Sequence, residues 1–180
     1  MRKQFFMVLT IPILLFASCE VEKLDEETFH AIDAKAKSTP TRQNMADCIV
    51  TETRLIAGQH TEVGNLKVAI NGSFYEITLN ITAPGYCLTE THIAVASSYE
   101  FLPQSKSGNP KVGNFEFSES HDCSTNYTYR IPVSKGSVIA VHGVVENASR
   151  PSETIWAQGC DFTGKSWAMY FHFDKNNIPG

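Results

Sequence analysis

Two runs of alternating side chains joined by Asn71-Gly72 constrain this chain more than any other feature. Residues 66–70 (LKVAI) and 74–81 (FYEITLNI) are rich in β-branched and aromatic residues, which fit a pleated, half-buried surface. Asn71 and Gly72 both tolerate positive φ, so the segment predicts a β-hairpin. The same composition returns at residues 92–98 (HIAVASS), 126–133 (NYTYRIPV), 137–145 (SVIAVHGVV) and 166–173 (SWAMYFHF). In the last run Trp167, Met169, Phe171 and Phe173 alternate with Ala168, Tyr170 and His172. That period predicts a half-buried strand with Trp167 on the core side. Gly and Pro clusters at 83–85, 107–113 and 134–136 punctuate the intervals, and no helical period is evident after residue 40. About seven or eight short strands at this spacing predict an all-β fold, an antiparallel β-sandwich, with a barrel as the second option.

The chain has 180 residues, 42% hydrophobic and 19% charged. That is enough for a targeting segment and one domain with a real core. A net charge of −4 provides no basic field to hold nucleic acid.

The N-terminus supplies an address. Arg2 and Lys3 precede an almost wholly apolar stretch from Phe5 to Phe16. This has the length of a signal-peptide core and is too short to span a bilayer as a helix. Leu15-Phe16-Ala17-Ser18-Cys19 then resembles the bacterial lipobox, in which the cysteine becomes the lipidated first residue. Residues 1–18 therefore read as a lipoprotein signal peptide. Residues 19–46 read as the lipidated cysteine and a flexible acidic and polar tether, and residues 47–180 as the β domain. The acids behind Cys19 (Glu20, Glu22, Asp25, Glu26, Glu27) resemble the export tag of Bacteroidetes surface lipoproteins, which implies the outer face of the outer membrane.

Of five cysteines, lipidation of Cys19 leaves four, an even set suited to disulfides in an oxidising compartment. Three pairings are open to Cys48, Cys87, Cys123 and Cys160. The preferred one joins Cys87 to Cys123 around the central loop and Cys48 to Cys160 between the domain's first segment and a late turn.

Further segments carry a family resemblance: AGQHTEVGNLKV (57–68), CLTETHIAVA (87–96), SGNPKVGNF (107–115), IAVHGVV (139–145) and SETIWAQGCDFTGKSWAMYFHF (152–173). Together they resemble a family of secreted and lipid-anchored β domains from Bacteroidetes, in the same order along the chain. Ile155 stands where that family usually has alanine, and the cysteines that bracket the middle loop are a departure, as is Cys160. The resemblance implies fold and compartment rather than a chemistry.

No nucleotide-binding glycine loop, HExxH, CxxC or GxSxG motif occurs, so the usual signatures of phosphate, zinc and serine-hydrolase sites are missing from the sequence. What stands out is polar: Glu90 and His92, which share a face if they lie on one strand, His142 within an apolar run, and Glu153 near Trp156. Gln59 and His60 follow Ala57-Gly58. A carboxylate with two imidazoles can hold Ca²⁺ or another divalent metal, or perform acid–base work. It can equally form a buried hydrogen-bonded network that fixes strand register.

Trp156, Phe162 and Tyr170 are the candidates for stacking on a ligand, with Asp161, Gln158 and Asn114 as hydrogen-bonding partners. Four Asn-x-Ser/Thr triplets, at Asn71, Asn80, Asn126 and Asn147, read as ordinary turn and strand residues in a bacterial lipoprotein. The expected function is non-enzymatic: a surface-anchored binding domain for a glycan, matrix polymer or envelope protein, held to the membrane by Cys19. The alternatives are a hydrolase or metal-dependent enzyme built on Glu90, His92, His142 and Glu153, and a structural component of an envelope assembly.

Overall fold

The computed structural model describes residues 48–174. Residues 1–47, which include Cys19 and the stretches read from the sequence as a signal peptide and tether, lie outside the described residues. Ten strands follow in order: β1 (Glu52–Ala57), β2 (Thr61–Asn71), β3 (Phe74–Ile81), β4 (Tyr86–Ala96), β5 (Phe117–Ser124), β6 (Asn126–Pro132), β7 (Val138–Asn147), β8 (Arg150–Ala157), β9 (Cys160–Asp161) and β10 (Met169–His172). No described helix is long and apolar enough to cross a membrane.

The all-β antiparallel class is as the sequence predicts. The strands form one continuous antiparallel path, β5-β4-β7-β8-β1-β2-β3-β6, curled until it is nearly barrel-like. Its two ends, β5 and β6, are consecutive in the chain and separated by Thr125 alone. Side chains lace the seam between them. Thr91 Oγ1 lies 2.7 Å from both His121 Nε2 and the Tyr129 hydroxyl, and Lys135 Nζ donates to Glu116 Oε1 at 2.6 Å.

The β2–β3 hairpin forms where expected, with its turn shifted by one residue. Asn71 is still paired, opposite Phe74, and only Gly72 of the Asn-Gly pair takes positive φ, at 60°. Along β3 the period-two pattern translates directly into alternating half-buried and buried side chains. The inward set, including Leu66, Ile77, Leu79, Ile93, Ile139, Ile155 and Phe171, is fully buried and forms the central core.

A second apolar layer lies on the outer face of β4, β7 and β8. Ala94, Ala96, Val138, Ala140 and Trp156 pack there against Leu102, Phe115, Phe162 and Ala168 from the long connections. Small alanines let those loops approach the sheet closely. Being covered on both faces, β7 reads as a nearly continuous apolar run rather than an alternating one.

Disulfides join Cys48 to Cys160 and Cys87 to Cys123, with Cα–Cα distances of 5.3 and 4.8 Å. This is the preferred pairing from the sequence. The C-terminal run departs from its alternation. β10 pairs with β9 through Met169 and Tyr170, then with β7 through Phe171 and His172. Phe171 and Phe173 enter the central core, whereas Trp167 and Met169 are partly exposed and pack against the outer layer. The strand changes partners midway, so one period cannot assign all four residues to one face.

Candidate functional site

Strand register decides which candidate residues meet. His92 on β4 pairs directly with His142 on β7, and His142 with Trp156 on β8. Ser118 on β5 and Ile56 on β1 extend the same row. The row lies on the outer face, because the flanking residues Ile93, Val141 and Ile155 point into the central core. Glu90, two residues before His92, shares that face, and its Oε1 is 2.5 Å from His92 Nε2. The two imidazole centroids are 5.7 Å apart.

Glu153 does not join them. It pairs with Val145, a core residue, and therefore takes the opposite face of the sheet. It lies beside the β1–β2 turn, where a Cβ on Gly58 would come within 2.5 Å of Glu153 Oε2. The four-residue cluster suggested by the sequence is thus three residues on one face and one on the other. A β bulge between Leu88 and Glu90 lies between these rows, and no reading of spacing alone would locate it.

His142 is 9% exposed, and its Nδ1 is buried without a hydrogen-bond partner. Desolvation, reinforced by the adjacent His92 and opposed by Glu90, pushes its pKa down to about 4, so the ring is neutral at neutral pH. Beside Glu90 and His92 opens a shallow cleft of 270 Å³, completed by Ser118, Glu119 and Ser120. Among the described residues no three His, Cys, Asp or Glu side chains are arranged as a ready-made metal site.

The stacking candidates divide. Trp156 is 5% exposed, lying edge-on to His142 at 4.9 Å and to Phe115 at 6.3 Å. Phe162 is 2% exposed and packs near Trp156 and Tyr170. Both are buried: Trp156 on the outer face of the sheet is covered by the long connections, one of which supplies Phe162. Tyr170 is partly exposed, with its ring 4.6 Å from that of Tyr99. Burial, followed by Tyr99 and Glu100, raises its pKa.

The partly exposed indole is instead Trp167. It borders a cleft of 450 Å³ with Arg54, Gln59, His60, Gln158, Asp161, Ile56 and Met169. Several of these groups are fixed in place. Arg54 Nε donates to Gln158 Oε1 at 2.8 Å, and Thr53 Oγ1 donates to the Gln158 carbonyl at 2.9 Å. The neighbouring Cys160 is tied to Cys48. The β1–β2 turn holds Gly58 at φ 53° and Gln59 at φ 75°, and the His60 N–H donates to Ala57 O at 3.1 Å. A glutamine in the left-handed region is an uncommon conformation, of the kind that tends to persist at working surfaces. Asn114 does not line this cleft.

The seam residues Thr91, His121 and Tyr129 escaped the sequence reading. Thr91 is fully buried, and the His121 and Tyr127 rings are 4.5 Å apart. Burial lowers the pKa of His121 and raises that of Tyr129. Their sequence signal is weak, since β5 is polar and mostly exposed and gives no apolar alternation to mark it as a strand. No protein-family model, curated protein or solved structure matches the chain.

Proposed function

We propose that this domain is a non-enzymatic glycan-binding module, displayed at the bacterial outer surface by a lipidated Cys19, and that its recognition site is the Trp167 cleft. One observation carries the reading: a partly exposed indole faces a 450 Å³ hollow whose rim holds amide, imidazole, guanidinium and carboxylate groups. Aromatic faces stack on the C–H faces of sugar rings, while planar polar groups satisfy paired hydroxyls. The volume falls within the range of ordinary small-ligand sites.

Pre-organisation supports the same reading. The disulfide at Cys160, the Arg54–Gln158 hydrogen bond and the tight β1–β2 turn hold the rim before any ligand arrives, which reduces the ordering that binding requires. The lipobox-like stretch and the acids behind it favour surface display, with two or more acyl chains providing a stable anchor.

The test is a broad glycan and polysaccharide array probed with the full-length chain and with Trp167→Ala. Selective binding that Trp167→Ala removes, with the thermal transition unchanged, supports the site. A blank array, or binding indifferent to Trp167→Ala, refutes it. Anchoring is checked separately, because Cys19→Ala should move the chain out of the membrane fraction.

A further inference from the structure

We propose that Glu90, His92 and His142 form a site for one first-row divalent transition metal ion on the outer face of the sheet, separate from the Trp167 cleft. Residues directly opposite on an antiparallel pair bring their side chains within a few ångströms. His92 and His142 are such a pair, with ring centroids 5.7 Å apart. Imidazole nitrogens bind such an ion at about 2.0–2.1 Å, and ring centroids 5.7 Å apart leave room for one ion between a nitrogen of each. Glu90 Oε1 already touches His92 Nε2 at 2.5 Å, so the carboxylate is within reach of the same point.

Two further observations point to an occupant. His142 Nδ1 is a buried acceptor or donor with no partner, and such atoms are rarely left unsatisfied in folded proteins. The adjoining 270 Å³ cleft is lined by Glu90, His92, Ser118, Glu119 and Ser120. The Glu90 carboxylate on its wall favours a cation over an anion, and the cleft gives solvent access for the remaining coordination positions.

The closed Glu90–His92 contact explains why no ready-made site is present. An incoming ion takes the place of that hydrogen bond: His92 Nε2 and the Glu90 carboxylate each ligate it, and any proton on Nε2 passes to Nδ1 or to solvent. Two nitrogens and one carboxylate select Zn²⁺, Co²⁺, Ni²⁺ or Cu²⁺ over Ca²⁺, which takes six to eight oxygens.

The experiment uses Trp156 as a reporter, since its ring lies 4.9 Å from that of His142. The full-length chain carrying Trp167→Phe, stripped with chelator, is titrated with Co²⁺ while indole emission and visible absorption are followed. The expected result is quenching that saturates at about one equivalent, with d–d bands, reversal by chelator and competition by Zn²⁺. His92→Gln should weaken binding by at least the roughly 10- to 100-fold that loss of a supporting group causes, with the fold intact by circular dichroism. His142→Gln should do the same, and His92→Gln keeps the test valid if the buried substitution unfolds the chain. No saturable quenching, or quenching that survives His92→Gln unchanged, overturns the site.

Discussion

His92 and His142 face each other across the β4–β7 ladder, yet their surroundings differ sharply: His92 Nε2 contacts Glu90 Oε1, while His142 Nδ1 is buried without a partner. A pair of like groups is thereby divided into one that faces an open cleft and one sealed beside Trp156. The asymmetry has a measurable consequence in acid.

Acid should destabilise the fold through His142 well before the carboxylates titrate. Its folded pKa of about 4 lies below the ordinary 6.5, so between those values the unfolded chain binds the extra proton. Stability is therefore full above pH 6.5, falls as pH falls through the window and levels near pH 4. The loss between pH 7 and pH 5 amounts to about 2 kcal/mol. Burial lowers the pKa values of His121 and His172 as well, and they act in the same direction. Urea midpoints measured across this range in chelator should show the slope, and His142→Gln should flatten most of it. An unchanged slope in that variant would assign the acid sensitivity elsewhere.

The two tryptophans should separate stability from recognition. Trp156→Ala removes a 5%-exposed ring from contact with His142, Phe115 and Phe162, and the cavity should cost about 3–5 kcal/mol. Trp167→Ala removes a partly exposed ring from a cleft wall and should cost under about 1–2 kcal/mol. Glycan binding should show the reverse order, being lost in Trp167→Ala and retained by the folded fraction of Trp156→Ala. Chemical denaturation combined with binding at low temperature distinguishes the two effects.

The seam between β5 and β6 depends on one hydroxyl. Thr91 Oγ1 serves both His121 and Tyr129 at 2.7 Å, so Thr91→Val takes that partner from both at once and leaves the Tyr129 hydroxyl only its 3.4 Å bond to the Thr91 carbonyl. A loss of about 1–3 kcal/mol is expected. Tyr129→Phe should cost less in the Thr91→Val background than alone, because the shared bond is already gone, with a coupling of about 0.5–3 kcal/mol. Hydrogen exchange should quicken first in β5 and β6. Strict additivity of the two substitutions would show that the hydroxyl pair does not hold the seam.

The parts of this fold legible in the sequence are those whose composition is apolar, β-branched or aromatic, whether alternating as in β3 or continuous as in β7. β3 and β6 alternate cleanly, and the cysteines bracket segments that do meet. β5 and β8 were hidden because their composition is polar, with Pro151 at the start of β8 and acids along β5. The site was legible in its residue types more than in its geometry. Glu90, His92 and His142 share a face as period two requires, but Glu153 falls on the other side. Trp156 and Trp167 exchange their expected exposures. The two errors have separate causes: Glu153 lies three residues from Trp156 on β8 and so takes the other face, while the tryptophan exposures follow from a second apolar layer on the outer face, which strand periodicity has no means of announcing.

Stability and binding should move in opposite directions at Gln59. Its φ of 75° places a side chain where only glycine is comfortable, at a cost of about 1–2 kcal/mol for an ordinary L-residue. Gln59→Gly releases that strain, partly offset by the greater freedom of glycine in the unfolded chain, and should raise stability by about 0.5–1 kcal/mol. It also deletes an amide from the rim of the Trp167 cleft, so glycan affinity should fall. Gly58→Ala supplies the contrast: its φ of 53° disfavours any side chain, and the new methyl would press on Glu153 Oε2. That variant should lose about 1–2 kcal/mol, with binding reduced only as far as the turn is displaced. A Gln59→Gly chain that is more stable and binds as well as the parent would remove Gln59 from the recognition surface, leaving the turn as a purely structural corner.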